Sequence, residues 1–431
     1  MDHATEYSTD DSEQTTSLPQ DGARAGMYQV WMLAISLSIL QIGFGLITPI
    51  FPFYIVELGV GATELGVLAA SFALTRILLA GPLGRASDKF GRKPVLLVAL
   101  FGFAISNLIY AFAETILVMI LARALEGAIS AGFYPAANAF VSDMTVPENR
   151  GTAMGYLSTG NMVGFVVGPS LGGILAEFLG IRLPFVVAAV VTLGTLLLVY
   201  VLVQEPPRRI SEKDYDKYRT PIREVFSRNR RAYSVLAVSM FANMFSIGIL
   251  EVAFMLDAVQ RFAFTPLQIG MFFGVLGIIT IIGNIVFGRA SDRLGRKWLI
   301  VVGTLIGAMS LFMFMVATGI VGFYVAGAIL GVAISMRGPT IQAMIGDLTD
   351  QTAYGSVMGA FGAVSNAAYV VGPILGGMMF DSSGDSISSL ALAGSVSVVV
   401  TLVSALGLPD YIPKSSAIEY VEDETDESAS S

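Results

Sequence analysis

The 431-residue sequence contains no cysteine and one histidine, His3, which lies in a polar N-terminal segment. Without cysteine there is no disulfide, no thiolate metal site and no cysteine nucleophile. An isolated histidine in such a segment is not expected to bind a metal or to act as an acid or base. No Walker-type glycine loop ending in Lys-Ser or Lys-Thr is present, so we expect no ATP-driven motor. The sequence therefore predicts neither an enzyme nor a protein with a metal or cofactor.

Charged residues are also scarce. They make up 13% of the chain, against about 25% in soluble domains, whereas hydrophobic residues make up 54% and the mean hydropathy is +0.72. This balance predicts a multi-pass membrane protein in a lipid bilayer, with no nucleic-acid partner. Much of the net charge of −8 comes from two acidic segments, residues 1–27 and 410–431, which we expect to be disordered tails.

Twelve segments reach the length of about 20 apolar residues that a membrane-spanning helix needs. They are residues 29–55, 63–83, 94–113, 115–140, 151–177, 183–203, 233–257, 266–288, 297–318, 320–345, 355–380 and 388–408. The predicted fold is all-α, with two six-helix bundles at 28–204 and 233–409 joined by a basic linker at 205–232. Within that linker, Ile222, Val225 and Phe226 predict a short helix on the membrane surface.

Basic residues are distributed unevenly between the two sides of this bundle. If both termini are cytoplasmic, Arg182 and Arg261 face outward, three arginines lie within spans, and the other 20 of the 25 Lys and Arg residues lie on the cytoplasmic side. Cytoplasmic loops of membrane proteins are enriched in Lys and Arg. The sequence therefore predicts a plasma-membrane protein with both termini in the cytoplasm.

A ten-residue string occurs once in each predicted bundle. Residues 84–93 read GRASDKFGRK and residues 288–297 read GRASDRLGRK, so eight of ten positions are identical at a spacing of 204 residues (288 − 84). The same spacing relates Pro135 in span 4 to Pro339 in span 10. The two halves are therefore copies of one six-helix unit, and transporters of this plan bind substrate where the halves meet.

The repeated string resembles the signature of the major facilitator superfamily in the loop between spans 2 and 3, Gly-x-x-x-Asp-Arg/Lys-x-Gly-Arg/Lys-Arg/Lys. The matching residues are Gly84, Asp88, Lys89, Gly91, Arg92 and Lys93 in the first copy and Gly288, Asp292, Arg293, Gly295, Arg296 and Lys297 in the second. The resemblance covers about residues 28–409. It implies a transporter made of two pseudo-symmetric bundles.

Span 5 is similar to an antiporter signature of the same family, Gly-x8-Gly-x3-Gly-Pro-x2-Gly-Gly. The matching residues are Gly155, Gly164, Gly168, Pro169, Gly172 and Gly173. This resemblance points to the twelve-span drug/proton antiporter branch, which includes tetracycline exporters. In span 4, Arg123-x-x-Glu126-Gly127 is similar to the family's Arg-x-x-Gln-Gly pattern, with Glu in place of Gln. Span 1 lacks the membrane Asp of many members.

The resemblance implies that the repeated string latches the two halves together in the outward-facing state. Glycine permits a tight turn, and Asp88 can cap a helix or pair with a guanidinium. Asp143 and Asp347, which end spans 4 and 10, are the expected acceptors for Arg92 and Arg296. The alternative is that these cations only set the topology.

Span 5 also carries a glycine at every fourth position, at Gly160, Gly164, Gly168 and Gly172. These glycines form one stripe along a helix and permit close contact with a neighbouring helix. Pro169 removes a backbone donor and is expected to bend the helix. The functional interpretation is a bend that keeps the halves sealed against leak. The alternative is ordinary packing of small residues.

Five ionisable residues fall within the predicted spans: Arg76, Arg123, Glu126, Glu251 and Arg337. Such residues are costly in a bilayer and are candidates for function. Arg123 and Glu126 share a helix face, and movement of the arginine would switch the carboxyl between holding and releasing a proton. The alternative is a permanent structural ion pair. Glu251 would bind a proton or a cationic compound, or lie at the membrane interface.

The leading hypothesis is a proton-driven antiporter that exports a small lipophilic compound by alternating access and works as a monomer. Amides within spans, Asn161 among them, would line its cavity or join helices. One alternative keeps the fold but moves an organic anion or a sugar-like metabolite by symport or uniport, because three arginines against two glutamates leave a positive centre. The other is a non-transporting membrane sensor, although the 28-residue linker leaves little room for an effector region.

Overall fold

The computed structural model describes residues 20–206 and 222–410, and every regular element in that part of the chain is helical. Twelve helical runs are long and apolar enough to cross a membrane, which confirms the twelve predicted spans. Span 1 joins Gln20–Ile47 to Phe51–Glu57 through a 3₁₀ turn, and span 7 joins Arg230–Ile249 to Met255–Gln260 through a π-helical turn at Leu250–Phe254. The other ten spans are Ala62–Phe90, Arg92–Ala111, Ile116–Met144, Pro147–Leu179, Leu183–Leu202, Pro266–Leu294, Arg296–Val316, Ile320–Leu348, Gln351–Ser383 and Ile387–Gly407.

The turn between spans 2 and 3 is much shorter than the sequence predicts. The apolar stretch of span 2 ends near residue 83, but the helix continues to Phe90 and carries most of the repeated string with it. A single residue, Gly91, makes the turn at a φ of 103°, and Gly295 does the same in the second half at 89°. Hydropathy marks where a helix leaves the hydrocarbon rather than where it ends, because charged residues continue a helix in water.

We call the membrane side that carries the turns at Gly91 and Gly295 the basic face, and the other side the opposite face. The interbundle segment returns to the bilayer at the basic face through the helix Ile222–Arg228, at the place where the sequence predicts a surface helix. Val225 is buried there, and the ring of Phe226 lies 4.8 Å from that of Tyr233. Residues 1–19, 207–221 and 411–431, which hold most of the predicted tails and linker, lie outside the described residues.

The glycine stripe of span 5 packs inside its own half. Cβ atoms placed on Gly160 and Gly172 would come within 2.8 Å of Ala34 O and 2.0 Å of Leu46 O, both in span 1. The stripe therefore joins spans 1 and 5 and does not itself seal one half against the other. This contact is the close packing of small residues that the sequence offered as the alternative, and the sealing role stays a prediction.

Spans 2 and 11 carry one contact between the halves, near the opposite face. A Cβ on Gly66 would come within 2.4 Å of Pro373 O, and a Cβ on Gly377 within 2.3 Å of Ala62 O. Neither position has room for a side chain, so the backbones of the two helices touch.

Spans 5 and 8 repeat this contact at positions shifted by 204 residues. A Cβ on Gly270 would come within 2.6 Å of Pro169 O, and a Cβ on Gly173 within 2.4 Å of Pro266 O. We call Gly66, Gly173, Gly270 and Gly377 together the glycine seam. The seam lies beside the largest cluster of buried apolar side chains, which takes residues from both halves, such as Ile50 of span 1 and Phe254 of span 7.

Two carboxylates extend the seam at the opposite face. Asp381 at the end of span 11 accepts hydrogen bonds from the backbone N–H groups of Ala62 and Thr63, each at 2.9 Å, and from the Thr63 hydroxyl at 2.5 Å. Glu177 at the end of span 5 accepts one from the N–H of Leu267 at 3.4 Å. The first N–H groups of a helix lack partners and carry partial positive charge. Each half therefore caps a helix of the other half.

The helices of the seam separate toward the basic face. Eighteen residues (84 − 66) are about five helical turns, or about 27 Å, so glycines at this spacing lie on one helix face. Each seam glycine has such a counterpart nearer the basic face, at Gly84, Gly155, Gly288 and Gly359. Apart from the glycine's own stretch of helix, no atom of the described residues lies within 4 Å of a Cβ placed on any of these four. Spans 5 and 8 stay in contact from the seam as far as Asn284, whose Nδ2 lies 3.8 Å from Met162 Sδ, and the space around the four glycines nearer the basic face is open.

Replacement of Asp381 by alanine should favour opening of the opposite face. Loss of a side-chain cap costs about 1 kcal/mol, which is about a fivefold change in the ratio of closed to open molecules. Because the chain has no native cysteine, spin labels can be attached through Glu114→Cys and Thr318→Cys, at exposed turns of the two halves. Electron–electron double resonance should report a larger population of long distances in the Asp381→Ala protein.

The matched control is Asp381→Asn, which keeps one acceptor oxygen and should give an intermediate population. Identical distance distributions in all three proteins would mean that the carboxylate cap does not hold the halves together.

Candidate substrate and proton site

A small cavity lies between the halves where spans 1, 2, 4 and 7 meet. Its walls are Thr48, Phe51, Pro52, Leu65, Leu68, Ala69, Arg123, Glu251, Val252 and Met255. Its volume is about 20 Å³, which is room for one or two water molecules. Pockets for drug-sized compounds start at about 300 Å³. In this state the cavity therefore admits water but not a drug-sized compound.

Arg123 and Glu126 form an ion pair in the protein interior, away from lipid. The side chains are 6% and 1% exposed, and Arg123 Nη1 donates to Glu126 Oε2 at 2.7 Å. Tyr110 of span 3 donates its hydroxyl to the same oxygen at 3.0 Å. The carboxylate is thus held by a charge and a hydroxyl, which is the arrangement that a buried carboxylate requires.

Three aromatic rings surround the other side of Arg123. Its guanidinium carbon lies 5.5 Å from the ring centre of Phe44, 5.1 Å from that of Phe51 and 4.8 Å from that of Phe72. A cation is attracted to the negative face of such rings. The rings come from spans 1 and 2, so three spans of the N-terminal half hold this one charge.

Glu251 reaches the same cavity from the C-terminal half. It lies in the π-helical turn Leu250–Phe254, a distortion that is often found at functional sites. Tyr369 of span 11 donates its hydroxyl to Glu251 Oε2, and both side chains are half-buried. The sequence leaves open whether Glu251 lies at a binding site or at the membrane interface. In the structure it lies in the wall of the cavity. Arg123 and Glu251, from different halves, share that wall without forming an ion pair.

The other ionisable and amide candidates do not line this cavity. Arg76 lies over the ring of Tyr134 at 5.4 Å, and the Tyr134 hydroxyl donates to Gln41 at 3.0 Å. Asn161 is half-buried, and its side chain makes no hydrogen bond with a described residue. Arg337 borders a second cavity whose walls all come from the C-terminal half. None of these three residues lines the cavity that Arg123 and Glu251 share.

The repeated string pairs its arginines within each half. Arg92 Nε donates to Asp143 at 3.2 Å, and its Nη1 also bonds Asp88. In the second half, Arg296 Nε donates to Asp347 at 3.0 Å. The expected acceptors are therefore present. Both pairs join helices of one bundle rather than the two halves.

The remaining residues of the string lie at the surface of the basic face. Lys93 Nζ donates to Tyr200 O at 2.8 Å, and Lys297 Nζ lies 3.1 Å from Asp410. Lys89 and Arg293 are exposed, and the side chain of Asp292 lies outside the described residues.

Sequence reasoning missed the two tyrosines that hold the carboxyls, Tyr110 and Tyr369. A buried tyrosine hydroxyl needs a partner, so a tyrosine within a predicted span is a usable signal. It does not reveal which of several carboxyls the hydroxyl meets, because that contact joins helices far apart in sequence. The three rings around Arg123 had no comparable signal among the 27 phenylalanines of the chain.

Comparison with known proteins agrees with this arrangement of two bundles around a central cavity. The family model described as the Major Facilitator Superfamily matches residues 33–256 and 236–428. The chain belongs to that superfamily. A major facilitator protein is a transporter, so this chain is a multi-pass membrane transporter of small molecules and not an enzyme.

Curated relatives within the superfamily include drug-resistance proteins. The chain is 27% identical over 354 residues to multidrug resistance protein 2 of Bacillus subtilis, which covers 81% of this chain and 88% of that protein. It is 29% identical over 385 residues to the class H tetracycline resistance protein of Pasteurella multocida, covering 87% and 95%.

A solved structure shares the fold at lower identity. A bacterial homologue of the human lysosomal transporter Spinster, in an inward-facing and unoccupied conformation, superposes with a TM-score of 0.73 at 16% identity. The match covers 91% of this chain and 96% of that one.

Removal of one member of the Arg123–Glu126 pair should destabilise the protein strongly. Arg123→Met leaves a buried carboxylate without its counter-charge, a change that costs about 3–5 kcal/mol. The double variant Arg123→Met/Glu126→Leu removes both charges and should recover most of that loss. Thermal unfolding of the purified protein in detergent, followed by size-exclusion recovery, compares the two variants. A double variant less stable than Arg123→Met would contradict the ion pair.

Proposed function

We propose that this major facilitator protein is a proton-coupled antiporter that exports small lipophilic compounds across the cell membrane. In this proposal the basic face and both termini are cytoplasmic, as the Lys and Arg distribution favours, and the present conformation is inward-facing. The observation that carries the proposal is the shared cavity wall. Glu251 of one half and Arg123 of the other face one small buried space that water can occupy.

The charges around this cavity favour a cationic or neutral substrate over an anion. Arg123 is already neutralised by Glu126, so an ionised Glu251 leaves the site with one net negative charge. The positive centre that the sequence suggested depends on Arg76 and Arg337, neither of which borders the cavity. Export of an organic anion is therefore the weaker alternative. The drug-resistance relatives agree with export of a cationic or neutral compound.

Glu251 is the better candidate for the transported proton. It borders the cavity, holds one tyrosine hydrogen bond and forms no ion pair among the described residues. Glu126 is 1% exposed and bonds both Arg123 and Tyr110, so protonation there would strand a buried guanidinium. A proton on Glu251 would remove the negative charge that retains a cation, so proton and substrate would compete for the same carboxyl.

The spacing of the seam supports alternating access. The four seam glycines close the opposite face, and four glycines five turns away on the same helix faces stand open at the basic face. A rocking of the halves would separate the first set and bring the second together. Gly84 and Gly288 belong to the repeated string, so in this proposal the string would lie at the contact that forms in the outward-facing state.

The substitution Glu251→Gln should abolish proton-coupled export. Glutamine matches the protonated form in shape but cannot release a proton, so an imposed pH gradient should no longer drive transport. The measurement is proton movement with a pH-sensitive dye in proteoliposomes, together with flux of a lipophilic cationic dye and of an organic carboxylate. We expect at least a tenfold loss of gradient-driven dye export, with exchange of bound dye retained.

Glu126→Gln is the matched variant in the same site. It should reduce stability through the loss of the Arg123 pair, while any folded fraction should keep its response to the gradient. If the gradient response survives in Glu251→Gln and disappears in Glu126→Gln, the transported proton binds Glu126 and not Glu251.

Large side chains at the open glycines should trap the inward-facing state. Gly155→Leu and Gly359→Leu enter free space here and should not lower the melting temperature, but they would prevent close approach of the halves at the basic face. We expect loss of transport and no closure in spin-label distances across that face. Gly194→Leu, an exposed glycine on span 6 with equal free space, is the control and should transport normally. Normal transport by Gly155→Leu would exclude the proposed closing contact.

A further inference from the structure

The C-terminal half buries an arginine that has no counter-charge. Arg337 is 4% exposed, and its Nε is buried without a hydrogen-bond partner. None of the described residues forms a hydrogen bond or an ion pair with its guanidinium. A charge removed from water in this way is among the most costly features of a folded protein. Arg123, by contrast, has Glu126 and three aromatic rings.

The surrounding helices are shaped to hold this side chain. Gly303 and Gly307 lie one turn apart on span 9, facing span 10. A Cβ on Gly303 would lie 3.3 Å from Arg337 Cβ, and a Cβ on Gly307 would lie 3.3 Å from Arg337 Nη1. The two glycines thus form a groove for the stem and the head of the arginine. The charge is therefore held in a defined position inside the bundle.

The guanidinium borders a small cavity. Besides Arg337, the walls are Ser246, Ile247, Leu250, Gly307, Leu311, Leu330 and Ser397, from spans 7, 9, 10 and 12. The volume is about 10 Å³, which is close to the space of one water molecule. All of these spans belong to the C-terminal half, so the cavity is separate from the one that Glu251 borders.

A hydroxyl in the cavity wall is available to a ligand. Ser246 Oγ lies 3.2 Å from Ser397 Oγ and 3.3 Å from Ala393 O, both long for hydroxyl hydrogen bonds. Ser397 has a shorter bond of its own to Ala393 O at 2.9 Å. Rotation of the Ser246 hydroxyl would therefore break only these two long hydrogen bonds. The rotated hydroxyl would be a second hydrogen-bond donor beside the guanidinium.

We propose that this cavity binds one small monovalent anion of the size of chloride, held by the Arg337 guanidinium and the Ser246 hydroxyl. A water molecule would fit the space but would leave the charge uncompensated. An organic acid would exceed the space of about 10 Å³. The anion is a resident part of the C-terminal half, and the proposal does not depend on what the transporter carries.

The test compares anions on the purified full-length protein in lipid nanodiscs. Melting temperatures are measured in sodium chloride, sodium acetate and sodium gluconate at equal ionic strength, and bound chloride is counted by equilibrium dialysis with the radiolabelled ion. We expect chloride to raise the melting temperature saturably and to bind at one equivalent per chain. Gluconate, which is too large, should have no effect, and acetate should act weakly.

Two variants locate the effect. Arg337→Met should abolish chloride binding and the chloride-dependent shift, and in gluconate it should be at least as stable as the parent, because an apolar side chain replaces an uncompensated charge. Ser246→Ala keeps the arginine and should bind chloride several-fold more weakly, so this variant decides the matter if Arg337→Met does not fold. Arg182→Gln, at an exposed ion pair with Glu57, is the control and should respond as the parent does.

Equal melting temperatures of the parent in chloride and gluconate, with no bound chloride, would overturn the proposal and leave water as the occupant. A chloride effect that persists unchanged in both Arg337→Met and Ser246→Ala would also overturn it, because the ion would then bind elsewhere.

Discussion

Backbone contact between the two halves at four glycines fixes the rest of this structure. Gly66, Gly173, Gly270 and Gly377 have no room for a Cβ, so the helices that carry them touch along the opposite face. That contact sets the distance between the bundles and closes the cavity that Arg123 and Glu251 share. About five helical turns away, the four glycines nearer the basic face have open space around them. A larger side chain at any seam glycine would therefore alter the site as well as the interface.

Three of the charged side chains in the membrane interior have compensation close by, whereas Arg337 has none from the described residues. Arg123 has Glu126 and aromatic rings, and Arg76 lies on the face of Tyr134. Glu251 accepts a hydrogen bond from a tyrosine hydroxyl and lines the cavity, and it forms no ion pair with a described residue. In the proposed antiport this carboxyl exchanges the proton for the substrate, and the closed Arg123–Glu126 pair holds the helices in place.

Much of this architecture could be predicted from the sequence, because hydropathy and repetition are properties of the chain alone. The twelve spans, the two halves and the acceptors of Arg92 and Arg296 all follow from such patterns. Contacts between helices that are distant in sequence do not follow from such patterns. The stripe of span 5 predicts close packing but not that its partner is span 1, and Arg337 gives no sign in sequence that it faces the inside of its own bundle. The one-residue turn at Gly91 was missed because hydropathy does not report where a helix ends.

The most direct test of the account is a paired distance measurement on the cysteine-free chain. One label pair, Glu114→Cys with Thr318→Cys, spans the opposite face, and a second, Asn149→Cys with Tyr354→Cys, spans the basic face; all four positions are exposed. Electron–electron double resonance in nanodiscs across a range of pH should show the two distances changing in opposite directions, in equal fractions of the molecules. Distances that lengthen together, or a basic face that never closes, would contradict the account.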